Sequence, residues 1–171
     1  MDPYVQLAKN TIETYIKSRR FYEPTAAELT DEMLHSRAGA FVSIHEHGEL
    51  RGCIGTIAPV QDSLALEIIA NAISASTRDP RFSPIRANEL PYLEINVDVL
   101  GEPEDISSMD ELDVKRYGVI VTKGRRRGLL LPDLEGVDTV EYQVQIARMK
   151  AGIRDEETGV KLSRFEVIRH K

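Results

Sequence analysis

Seven consecutive residues, Leu50-Arg51-Gly52-Cys53-Ile54-Gly55-Thr56, hold the only thiol of the chain, a guanidinium two positions before it and two glycines. A thiolate is the nucleophilic form of cysteine, and a nearby cation lowers its pKa, so Cys53 and Arg51 are a candidate catalytic pair. Gly52 and Gly55 weaken a strand and leave its peptide groups bare, which implies that something approaches closely. A ligand would make Gly52, Gly55 and Thr56 substrate-binding residues. The alternative is close packing of the small-residue helix that follows, with Cys53 as a small buried hydrophobe.

A second group is Arg78-Asp79-Pro80-Arg81-Phe82-Ser83-Pro84. Arg81 could clamp a carboxylate or phosphate while Phe82 stacks on a planar group, giving Asp79, Arg81 and Phe82 a binding role. The plainer alternative is a structural Asp79–Arg81 contact with Phe82 in the core. In the basic turn Lys123-Gly124-Arg125-Arg126-Arg127-Gly128 the four cations could bind phosphate, but a charged hairpin tip reads first as solvated. His45 and His47 come without further ligands at metal-binding spacing, so no metal is expected. Nucleotide-binding and hydrolase glycine motifs are absent, and no intrinsic cofactor is expected.

These groups need elements to position them. Asp2 caps and Pro3 opens a helix whose Val5, Ala8, Ile12, Tyr15 and Ile16 share one face. A short helix is expected around Leu29 and Met33. Strands over 40–45 and 50–56 form a hairpin, and either a two-residue His47-Gly48 turn or a four-residue loop over Glu46-His47-Gly48-Glu49 gives a register that pairs His45 with Leu50, Ile44 with Arg51 and Val42 with Cys53. That register puts Arg51, Cys53 and Gly55 on the face of Val42 and Ile44, and His45 on the other. Asp62 is the expected cap of a helix to about residue 76, rich in Ala65, Ala72, Ala75 and Ser76. Strands follow over 93–99 and 117–122. Ser108 with Glu111 forms a capping box, and Asp138 with Glu141 another, which opens a helix that ends at Gly152. A last strand over 160–168 shifts its apolar phase between Leu162 and Phe165, the signature of a bulge. No internal repeat is visible.

The 171 residues are 42% apolar and 29% charged, an ordinary globular composition with room for a core. The formal net charge of −6 disfavours non-specific nucleic-acid binding. A single cysteine allows no internal disulfide or iron–sulfur cluster and points to a reducing, cytoplasmic compartment. No apolar run is long enough to span a membrane, and the first residues do not resemble a signal peptide.

Phe41-Val42-Ser43-Ile44 with the Arg51–Gly55 stretch, continued by Asp79-Pro80-Arg81-Phe82 and Pro84, Tyr117-Gly118, Gly128-Leu129-Leu130-Leu131-Pro132 and Lys150-Ala151-Gly152, resembles the AMMECR domain family. In microbes that family is called AmmeMemoRadiSam system protein A. The resemblance covers nearly the whole chain. It implies an α+β fold, an antiparallel sheet flanked by helices in two unequal subdomains around a cleft. The larger would hold both termini and the smaller would be inserted.

It also implies association with a Memo-type protein and a radical SAM protein, and a role in modifying RNA or another macromolecule. Arg148 stands where the family often has a second cysteine, so a mechanism needing two thiols is not expected. Two functions fit: a thiol-dependent, transferase-like enzyme or enzyme subunit using Cys53, or a non-catalytic binding or adaptor module with an anion site at Arg51–Gly55.

Overall fold

The computed structural model describes residues 1–171. By internal contacts the chain forms two units, Met1–Leu100 with Ile168–Lys171, and Gly101–Val167. Both are built from antiparallel strands with helices packed on them.

In the first unit, α1 (Pro3–Ser18) starts as its sequence requires: Asp2 Oδ1 accepts from the N–H groups of Tyr4 at 2.8 Å and Val5 at 3.3 Å. Val5, Ala8 and Ile12 enter the core, with Tyr15 and Ile16 at its margin. A 3-10 turn, Ala26–Glu28, and the one-turn α2 (Asp31–His35) follow, and α2 buries Met33. The hairpin of β1 (Ala40–Glu46) and β2 (Glu49–Gly55) leads to α3 (Leu64–Thr77) and then to β3 (Leu93–Leu100). The cap of α3 is Ser63, not Asp62, because the Ser63 hydroxyl accepts from the Leu66 N–H at 3.2 Å. Ile44, Val42, Ile95, Val97 and Val99 form the core with the inner faces of α1 and α3.

The strands run β2-β1-β3, and β3 is flanked on its far side by β7 (Lys161–His170), whose last residues belong to this unit. Asp98 is only 2% exposed, and Arg169 meets its carboxylate through Nε at 2.8 Å and Nη2 at 3.1 Å. A carboxylate so far from water needs such a partner. Next to it, His170 Nδ1 lies 2.8 Å from Asp2 Oδ2, and its ring stacks on Tyr4 at 3.8 Å.

The second unit holds β4 (Glu104–Ile106), β5 (Tyr117–Lys123), β6 (Arg126–Leu130), α4 (Val140–Ala151) and the earlier part of β7. Its strands run β7-β5-β6, with β4 also on β7. The Ser108–Glu111 capping box encloses a single 3-10 turn, Met109–Glu111. The cap of α4 is Thr139, which accepts from the Tyr142 N–H at 3.1 Å, and not Asp138. Gly152 ends α4 in the left-handed region at φ 72°.

The expected bulge in β7 is absent. Thr122↔Lys161 through Tyr117↔Glu166 pair in unbroken register. The apolar phase shifts because Leu162 packs into the core of this unit, while Phe165, on the other face, covers Gly118.

The two units repeat one motif that the sequence does not announce. Each has a hairpin, a helix and a strand returning to pair with the first strand of the hairpin, giving β2-β1-β3 and β6-β5-β7. The repeat extends to side chains. Ile44 pairs with Gly52 and Val121 with Gly128, and each glycine faces the carbonyl of a helix alanine, Ala75 or Ala147. Four residues before that alanine, Asn71 donates to the Ala40 carbonyl and Gln143 to the Tyr117 carbonyl, both at 2.9 Å. Ala40 and Tyr117 are the first residues of β1 and β5.

Candidate functional site

The hairpin turn is His47-Gly48, with φ 52° and 81°, the two positive values of a type I′ turn. His45 pairs with Leu50 as expected, but the next pair is Ile44↔Gly52, followed by Ser43↔Cys53, Val42↔Ile54 and Phe41↔Gly55. Arg51 is therefore a bulge residue, and every later residue of β2 is moved to the opposite face from the one its alternation suggests. Cys53 and Gly55 share the face of Phe41, Ser43 and His45, and the core side of Val42 and Ile44 receives Gly52 and Ile54.

This overturns the expected Arg51–Cys53 pair. The Arg51 guanidinium turns to Glu89, with Nε at 2.9 Å and Nη2 at 3.3 Å, and to the carbonyls of Ser83 at 2.8 Å and Pro84 at 3.3 Å. Glu46 lies 3.7 Å away as a second acid. The Arg51 contact holds Glu89 down to about 2. An arginine so fully engaged is a brace between β2 and residues 83–89.

Both glycines are also used internally. A Cβ on Gly52 would collide with the Ala75 carbonyl of α3, and one on Gly55 with the Phe41 ring across the hairpin. Close approach is real at both positions, but helix and ring occupy the space assigned to a ligand. The anion site expected at Arg51–Gly55 has neither a free guanidinium nor an open backbone.

Cys53 lies half-buried, with its Sγ 3.4 Å from the Ser43 hydroxyl. Burial pushes the thiol up, against smaller lowering effects of Ser43 and Arg81. His45 now shares its face, contrary to the expected register, yet the group that meets the sulfur is the Ser43 hydroxyl. Asp79 and Arg81 hold the main chain of this residue: the Cys53 N–H donates to Asp79 Oδ2 at 3.0 Å, and Arg81 Nη2 donates to the Cys53 carbonyl at 3.3 Å. Arg81 binds Asp79 through Nε at 3.0 Å and Nη2 at 2.8 Å, keeping that carboxyl well below the usual range. Phe82 is half-buried with the Arg81 guanidinium 5.4 Å from its ring centre. Of the two readings for this loop, the structural Asp79–Arg81 contact is present, but Phe82 is half-buried and does not enter the core.

Thr56 leads elsewhere. With Glu67 and Asn71 of α3 it helps to line a cavity of about 450 Å³ walled by Phe21, Val60, Leu66, Ile69 and Ile73, with Arg78 also on its lining. Glu67 is buried and its carboxylate is filled by donors: the Val60 N–H at 2.8 Å, the Gln61 N–H at 3.0 Å and the Thr56 hydroxyl at 2.9 Å. Asn71 also donates to Thr56 Oγ1 at 3.2 Å. No acid pairs with Arg78, which is exposed just beyond the last residue of α3. Phe21 is 64% and Val60 69% exposed.

The AMMECR1 family pattern matches residues 5–170. This chain belongs to the AMMECR1 family. A Thermotoga maritima protein is 51% identical over 170 residues, which cover 99% of this chain and 97% of that one. A Clostridium acetobutylicum protein is 49% identical over 99% of this chain, but this chain spans only 36% of that longer relative. The crystal structure of an uncharacterized Pyrococcus horikoshii protein superposes with a TM-score of 0.89 at 31% identity, covering 97% of this chain and 88% of that one.

Of the residues singled out in this AMMECR1 chain, Cys53, Asp79 and Arg81 come together at the β2 edge, while Gly52 faces α3, Gly55 faces Phe41, Arg51 turns to Glu89 and Thr56 alone lines the cavity. Sequence reasoning missed Glu67, Asn71 and Arg78. A signal for the first two existed: two polar residues four apart on a helix face otherwise made of Ile68, Ala72 and Ala75. No helix of the chain is long and apolar enough to cross a membrane.

Proposed function

We propose that this chain is a non-catalytic binding module acting in the cytoplasm, and that the cavity beside α3 takes an amphiphilic anion. The carrying observation is the lining of that cavity: apolar walls, a polar floor whose acid is already filled by three donors, and the unpaired cation Arg78. A ligand with an apolar body and one carboxylate or phosphate head matches that distribution, because the head finds the charge of Arg78 and the body covers Phe21 and Leu66. The thiol-enzyme reading has less support, since Cys53 faces a hydroxyl, its pKa is raised and Arg51 is engaged elsewhere.

The Clostridium relative carries a long stretch beyond the matched domain, which supports a module serving another activity. The implied association with a Memo-type and a radical SAM protein fits such a role. Titration with decanoate and with decyl phosphate, followed by amide NMR, tests the site. Shifts at Thr56, Ala70 and Arg78 that weaken about tenfold in Arg78→Ala support the reading; no shift at these residues with either probe removes it.

A further inference from the structure

We infer that the outer edge of β6 is a docking strand for an acidic, extended segment of a partner protein. This inference stands on the second unit and is independent of the cavity beside α3. β2 and β6 are the two ends of the strand path, so each has one side without a strand neighbour. Such a side presents a row of main-chain donors and acceptors.

The register identifies which groups these are. Gly124, at φ 61°, and Arg125 form the two-residue turn between β5 and β6, so the flanking pair Lys123↔Arg126 exchanges hydrogen bonds and the pattern alternates from there. Val121↔Gly128 is then a bonded pair as well, while Arg127 and Leu129 direct their N–H and C=O groups outward. The repeat gives the same answer independently: Gly128 occupies the place of Gly52, so Leu129 occupies the place of Cys53. At Cys53 both outward groups are taken, by Asp79 and by Arg81. At Leu129 and Arg127 no hydrogen bond to another segment meets them.

Charge selects the occupant. Arg126 is tied to Glu157 at 2.6 Å, which leaves Arg125 and Arg127 exposed with no acid partner. A second copy pairing through β6 would bring these guanidinia against their own equivalents, which opposes self-association. An extended acidic segment gains both the main-chain ladder and the complementary charge.

The test uses a fluorescent nonapeptide of alternating glutamate and valine, and the same peptide N-methylated at alternate residues, which keeps the charge but removes the donors. Expected results are slowed amide exchange at Arg127 and Leu129 with the first peptide, at least about tenfold weaker binding of the methylated one, and a similar loss in Arg127→Glu. Equal binding of both peptides, or none, overturns the inference. So does a single-stranded RNA oligomer that binds these arginines more tightly than the peptide, which would assign the patch to phosphate. Protection of the same amides by self-association without peptide would also overturn it.

Discussion

The main-chain N–H of Cys53 donates to the Asp79 carboxylate at 3.0 Å, and Arg81, gripped by that carboxylate, returns a hydrogen bond to the Cys53 carbonyl. One ion pair thus does for the β2 edge what a neighbouring strand would do, satisfying both peptide groups of a single residue.

Asp79→Ala is expected to destabilise the protein by about 2–3 kcal/mol, since it leaves the Cys53 N–H unpaired and frees Arg81. Arg81→Ala should cost about 1 kcal/mol, because its guanidinium is largely exposed and water can take its place at the carbonyl. Urea unfolding of the two variants checks the order, and equal losses would contradict it.

Asp79 and Glu89 both have folded pKa values below their unfolded ones, Glu89 at about 2. The sign follows: their stabilisation is complete above the ordinary carboxylate range and is lost as pH falls through the folded values. Stability measured by urea should be flat above about pH 5 and fall steadily from about pH 4.5 to pH 2. A combined Asp79→Asn, Glu89→Gln variant should start less stable and show a shallower acid slope; an unchanged slope would refute the assignment.

The fold class was legible in the sequence and the working of the motif was not, for a local reason. Val5, Ala8 and Ile12 announce α1, and Ile95, Val97 and Val99 announce β3, because burial on one face imposes a period. Arg51 breaks such a period by adding one residue to β2, and the added residue carries no mark in the sequence. From there the faces of Gly52, Cys53 and Gly55 are inverted. Glycine likewise declares that something approaches without saying whether it is α3, Phe41 or a ligand. The caps moved by one residue at Ser63 and Thr139, where a hydroxyl beside an aspartate competes for the same amides. The cavity residues were hidden because Glu67 and Arg78 are ordinary helix-surface types, and only the turn of α3 decides that one is buried and the other open.

Cys53 is expected to resist iodoacetamide at neutral pH and to react only as the pH rises beyond the ordinary thiol range of about 8.5. Cys53→Ala should cost about 1 kcal/mol and leave decanoate binding intact. Rapid labelling at pH 7 by mass spectrometry would reopen the nucleophile reading.

Arg51→Ala should destabilise by about 2 kcal/mol, as it leaves Glu46 and Glu89 facing each other without their shared cation. Arg51→Lys should recover little, because an ammonium group cannot reach two carbonyls and a carboxylate in the arrangement a guanidinium spans. Thermal melts of both variants decide the matter, and full stability of the lysine variant would rule out the brace.

Gly52→Ala and Gly128→Ala should each cost about 2–3 kcal/mol, since the obstacle in both cases is helix main chain that cannot step aside. Gly55→Ala should cost less, its obstacle being the Phe41 ring, and adding Phe41→Leu should restore part of the loss. Calorimetry on the four variants tests the repeat directly, and a neutral Gly128→Ala would break the equivalence of the two units.

The Asp98–Arg169 contact joins residues 71 positions apart, which sets an order of events during translation. Nearly all of the first unit leaves the ribosome before the second, yet its buried carboxylate meets its guanidinium only after residues 101–167 have been synthesised. The contiguous second unit is free to form while the nascent first unit still carries an unmatched charge at β3. Nascent chains of the first hundred residues therefore present chaperones with an incomplete sheet, and emergence of residues 168–171 and closure of that sheet become a single step.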